Sequence, residues 1–158
     1  MPDFVIRPAD WTHERAHLAQ VRRTVFIDEQ GVPEAMEWDA DDAVSLHLLA
    51  VDGANQPIGC ARLLPDGHIG RMAVLPAWRG RGVGRALLDA AIRAAQARGH
   101  TTLRLSAQTH AVAFYARAGF VAVGDEYEEA GIPHVAMQKS LVRIEPNRQR
   151  PVSPGGTD

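Results

Sequence analysis

Three arginines alternate with three glycines in Arg79-Gly80-Arg81-Gly82-Val83-Gly84-Arg85, just as an amphipathic helical run begins. A helix start leaves backbone N–H groups without partners and carries the positive end of the helix dipole. Glycines let another molecule come close to those amides, so the turn reads as a cradle for phosphate or pyrophosphate. Two common cradles do not fit. A Walker loop needs Gly-Lys-Ser/Thr, and the one lysine, Lys139, is far away. A dinucleotide fingerprint needs Gly or Ala five residues after its first glycine, where Arg85 or Leu87 stands. His13-Glu14-Arg15-Ala16-His17 is a literal His-Glu-x-x-His, but no third zinc ligand is evident, and two histidines on a helix surface are the expectation. The lone cysteine, Cys60, lies in an apolar stretch and reads as a core thiol.

The elements that must position these residues follow from periodicity. Phe4–Arg7 reads as a strand, and a helix capped by Asp10 or Thr12 covers about His13 to Ile27. An irregular acidic stretch, Asp28 to Asp42, comes next. Ser45–Asp52, Pro57–Leu64 and Ile69–Leu75 form an antiparallel meander, its first two strands joined by Gly53-Ala54-Asn55. Val83, Leu87, Ala90, Ala91 and Ala94 mark the face of a long helix ended by Gly99, with an Asp89–Arg93 pair on its polar side. Thr102–Ser106 (strand), Ala111–Ala118 (helix), Phe120–Val123 and His134–Gln138 (strands) complete an α/β mixed (α+β) sheet. Residues 1–142 are one domain, and 143–158, with Pro146, Pro151, Pro154, Gly155 and Gly156, are expected to be a disordered tail.

The run Ile69 to Gly84 resembles the acyl-CoA site of the GNAT (GCN5-related) N-acetyltransferases. Arg79, Gly82 and Gly84 meet the family pattern Gln/Arg-x-x-Gly-x-Gly/Ala, and Ala113-Phe114-Tyr115-Ala116-Arg117-Ala118-Gly119-Phe120 is similar to its Phe-Tyr-x-x-x-Gly-Phe segment. Phe26 to Pro33, Trp38 to Asp42, Ala107 to His110 and Gly131 to His134 resemble the ElaA-like branch. Gln108 stands where many members have Asn. The resemblance implies the GNAT fold, a twisted, mostly antiparallel sheet of about seven strands flanked by helices, with central strands splayed into an acyl-CoA cleft.

It also implies the chemistry, acetyl transfer from acetyl-CoA to an amine by direct attack in a ternary complex. The free backbone of Met72, Ala73 and Val74 would pair with the pantetheine arm, as an added strand does. The pyrophosphate would lie on Gly80, Arg81, Gly82, Val83 and Gly84, with Arg79 and Arg85 beside it and Gln108 and Phe114 helping to hold the cofactor. Tyr115 matches the residue that protonates the departing thiolate. The base is open among Glu29, Glu37, Asp39 and His134, of which His134 is the preferred candidate. Glu29, Gln30, Glu37, Trp38 and Asp39 are candidate acceptor contacts. Two acidic groups (Glu34, Glu37, Asp39, Asp41, Asp42 and Asp125, Glu126, Glu128, Glu129) are read as attracting a cationic amine. The alternative is a non-catalytic acyl-CoA-binding or sensing module.

Composition limits the partners. Across 158 residues Lys+Arg is 17 against Asp+Glu 19, a net charge of −2, a balance that gives no support for a basic nucleic-acid-binding face. No run suits a membrane span and no leader is evident, so a cytoplasmic protein without a metal is expected. The acceptor is a small-molecule or peptide amine of open identity, and a homodimer is common in the family.

Overall fold

The computed structural model describes residues 3–142. The expected tail at 143–158 lies outside the described residues. The elements are β1 (Phe4–Ala9), α1 (Trp11–Arg22), α2 (Glu34–Glu37), β2 (Leu46–Asp52), β3 (Pro57–Leu63), β4 (His68–Val74), α3 (Val83–Ala97), β5 (Thr102–Gln108), α4 (Val112–Ala116), β6 (Val121–Glu129) and β7 (Ile132–Ser140). They build a seven-stranded sheet in the order β1-β2-β3-β4-β5-β7-β6. Five neighbouring pairs are antiparallel, and only β4 and β5 run parallel.

α1 starts where Asp10 accepts the His13 amide at 3.1 Å, as expected. It then runs into a π-helical segment, Arg23–Glu29, which places the neighbouring side chains of Glu29 and Gln30 over the sheet's central gap. α3 packs on the sheet through Val83, Leu87, Leu88, Ala91 and Ala95. The buried stripe is therefore rotated from the expected one, with Ala90 and Ala94 on its margin. Each fully buried leucine contributes about 1.5–3 kcal/mol relative to exposure. Asp89 pairs with Arg85, one turn earlier, at 3.0 Å, and not with Arg93.

β6 corrects a second expectation. It is nine residues long, so Asp125, Glu126, Glu128 and Glu129 belong to a strand and not to a loop. The register breaks between Val123 and Tyr127, where Gly124 has positive φ, and every residue of this edge strand is exposed. Charges and a bulge on an edge discourage pairing with other chains.

Cys60 is 1% exposed, donates to the Arg71 carbonyl at 3.2 Å, and is pushed up to about 12 by burial. The native thiol is therefore expected to resist a thiol-directed reagent at neutral pH and to react only after denaturation. Labelling of the folded protein at the free-thiol rate would contradict this placement.

Candidate active site

The cleft exists because β4 and β5 pair only at His68–Arg104 and Ile69–Leu105 and then part. A bulge in β4 marks the separation, since Arg62 faces Gly70 and Cys60 faces Ala73, which leaves Arg71 and Met72 opposite one residue. Arg71 sits there with φ +47°, rare for a non-glycine residue. Beyond the bulge the register turns an edge of β4 toward the gap. The Leu75 amide donates to the Ile58 carbonyl at 2.9 Å, so the next pair, Gly59 and Val74, is the non-bonded one. Its backbone groups turn away from β3, toward the gap.

At the gap's end lies the cradle. Gly82 caps α3 with φ +86° and offers no side-chain bond, leaving the amides of Val83, Gly84 and Arg85 without a side-chain cap. A Cβ built at Gly80 or Gly82 meets nothing within 4 Å, so the space above the amides is open to a ligand. Phe114 packs against Gly84, 3.4 Å from where a Cβ would be. Gly82→Val puts a branched side chain into that space at a left-handed φ. About 1–2 kcal/mol of backbone cost and a loss of CoA affinity of roughly tenfold or more are expected by calorimetry. Unchanged affinity would move the phosphate elsewhere.

Around this edge a cleft of about 990 Å³ collects Met72, Ala73, Val74, Arg79, Gly80, Gly82, Val83, Gly84, Arg85, Gln108, Phe114, Tyr115 and His134. Glu29, Gln30 and Glu37 line it too, whereas Arg81, Trp38 and Asp39 lie outside its lining. Arg81 stacks over Trp78, and Trp38 lies under Arg22 and Arg23. Tyr115 donates to the Met72 sulfur at 3.7 Å, and burial pushes its phenol up to about 12. His134 is 7% exposed, and its Nδ1 lies 2.7 Å from the Ile132 carbonyl. A carbonyl only accepts, so Nδ1 donates to it, and Nε2 is the ring nitrogen with a lone pair in the neutral tautomer this bond selects. Tyr127 stacks on this ring and its hydroxyl meets Ser106.

Two residue pairs tie the segment after α1 to both lips of the gap. Arg79 donates to the Glu29 carboxylate at 2.7 and 2.6 Å and to the Val74 carbonyl at 3.0 Å. Gln108 donates to Gln30 at 2.8 Å and accepts from His110. The Arg79 bond holds the Glu29 carboxyl below its ordinary range, which makes Glu29 a poor base.

Comparison with known proteins agrees with this architecture. The model of the acetyltransferase (GNAT) domain matches residues 10–141. The chain belongs to the GNAT acetyltransferase family. Escherichia coli ElaA is 32% identical, over 80% of this chain and 87% of its own. The crystal structure of ElaA superposes with a TM-score of 0.78 over 87% of this chain and 99% of the other. An acyl-CoA N-acyltransferase from Pseudomonas aeruginosa is 35% identical, with a TM-score of 0.78 over 87% and 99%. An N-acetyltransferase of Bacillus subtilis, YjcF, is 38% identical over 75% of this chain and 87% of its own. The ElaA-like branch and acetyl-CoA as co-substrate follow.

In this GNAT acetyltransferase most of the first acidic group is not available to attract a ligand. Arg22 Nε holds Glu37 at 2.8 Å and its Nη1 holds Asp42 at 2.7 Å, while Arg62 bridges Asp39 and Asp42 at 2.7 and 2.9 Å. Arg23 takes Glu34 at 2.7 Å. Burial pushes the Glu37 carboxyl up, against the nearby Arg71 and Arg22 charges. Arg62, Arg71 and Ser106 line the cleft and escaped the sequence reading. Their signal was an arginine inside each of two apolar strands. His13 and His17 contact Asp10 and Glu14 on α1, and no group of metal-ligating residues occurs among the described residues. No helix there is long and apolar enough to cross a membrane.

Proposed function

We propose that this enzyme moves the acetyl group of acetyl-CoA directly to an amine within a ternary complex. The observation that carries the reading is the Tyr115 hydroxyl beside Met72, at the free edge of β4, in one cleft with His134. Val74 turns its N–H to that edge, suited to the charge that develops on a thioester oxygen. His134 Nε2 accepts the amine proton, and Tyr115 supplies one to the departing sulfur. Holding amine and thioester together supplies much of the rate.

The test is calorimetric titration with acetyl-CoA, followed by thiol release against a panel of amines. Binding with acceptor-dependent release supports transfer. Binding with no release on any amine favours a sensing module, and absence of binding removes the cradle argument.

A further inference from the structure

Arg22, Arg62 and Arg71 meet Glu37, Asp39 and Asp42 beside the cleft. Three guanidinium charges balance three carboxylates, yet N–H donors exceed acceptors. Arg62 Nε is buried with no partner. Among the described residues Arg71 Nη1 also donates to nothing, while its Nε and Nη2 are held by the Glu37 and Met36 carbonyls and by the Glu37 and Asp39 carboxylates. The two orphans differ in access. Arg62 Nε is sealed off, but Arg71 lines the cleft with its side chain 23% exposed, and its Nη1 is not among the sealed atoms.

Arg71 is also the residue with left-handed backbone at the bulge. Such conformations persist where the surroundings enforce them, and they cluster at ligand sites. Here the loop carbonyls of Met36 and Glu37 fix the guanidinium while leaving one of its ends free.

We propose that Arg71 anchors the acceptor through Nη1, and that the acceptor is an amine that also carries a carboxylate. This rests on the transfer reading above. A guanidinium matches a carboxylate in shape and charge. A polyamine would instead need free carboxylates; at this end of the cleft arginines already hold Glu37, Asp39 and Asp42, and the carboxylate lining the cleft without an ion pair among the described residues, Glu129, belongs to β6.

The experiment compares kcat/KM for matched acceptors, phenylalanine against phenylethylamine and lysine against cadaverine, with phenylalaninamide as the neutral oxygen control. The acid of each pair is expected to be preferred by roughly 10–10²-fold, the range of one charge-assisted hydrogen bond. Arg71→Gln should bring the ratio near unity by lowering kcat/KM for the acid more than for the carboxylate-free amine, and Arg71→Lys should keep part of the preference. A merely structural Arg71 would slow both members alike, which overturns the proposal. So does equal use of acid and amine by the wild type, or of acid and amide, a ratio that needs no variant to fold. Release with other amines but with none of these acids overturns this inference alone. Binding of acetyl-CoA without release on any amine overturns the transfer reading and this one with it.

Discussion

Tyr115→Phe is expected to lower kcat by on the order of 10²–10⁴-fold with acetyl-CoA affinity kept. The ring stays, so its edge-to-face contacts with Phe114 and Phe120 survive and the fold should not change. What goes is one hydroxyl beside β4. A phenol pushed up to about 12 is a weak acid. A thiol near 8.5 would not ordinarily draw its proton. A departing sulfur bound beside that hydroxyl would share its desolvated surroundings, which would disfavour its thiolate too. The high value also keeps the hydroxyl protonated as the pH rises, so loss of the Tyr115 proton should not lower kcat until the pH nears 12. Steady-state rates with wild type and variant across the alkaline range test both statements. A variant near wild-type rate would assign the proton to water or to another group.

The parts of the site that were legible in the sequence are local ones. The cradle needs only consecutive residues, because a glycine-rich turn and the helix behind it supply the open amides. Tyr115 was singled out through the contiguous segment Phe114 to Phe120, again local. The meander followed from alternation and turn composition. The buried ion network was not legible, because its partners come from α1, the loop around α2, β3 and β4, and charge patterns do not reveal such pairings. Acidic residues after the first helix looked solvated or ligand-seeking, whereas Arg22, Arg62 and Arg71 reach them across 15 to 34 positions. The clue was composition against context, since an arginine in Cys60-Ala61-Arg62-Leu63 must find a carboxylate or face water. β6 was cut short for a related reason. Its exposed edge carries charges that read as loop, and the bulge near Gly124 hides the alternation.

That network makes the second large prediction, a loss of about 3 kcal/mol of stability for Arg22→Met at neutral pH. Arg22 is 1% exposed and binds Glu37, Asp42 and the Glu37 carbonyl, with its guanidinium between Trp11 and Trp38. Methionine can fill much of the volume, so the cost falls on the carboxylates left without a partner. Arg62 still holds Asp42 and Arg71 still holds Glu37, which keeps the expected loss at the low end for a broken buried pair. The pH dependence separates this from simple mispacking. In the wild type, hydrogen bonds from Arg22 and Arg62 overcome desolvation and hold the Asp42 carboxyl below its ordinary range. A lowered folded value stabilises above the unfolded pKa and is lost as pH falls through the folded one. With Arg22 gone, desolvation acts on Glu37 and Asp42 with less opposition and raises their folded values. A raised value stabilises only below the unfolded pKa, and that contribution disappears as pH rises. The variant's deficit should therefore be smallest in acid and grow toward neutrality in urea titrations at several pH values. A deficit that does not change with pH would mean that Arg22 contributes by packing against the two tryptophans, and that the carboxylates are solvated after all.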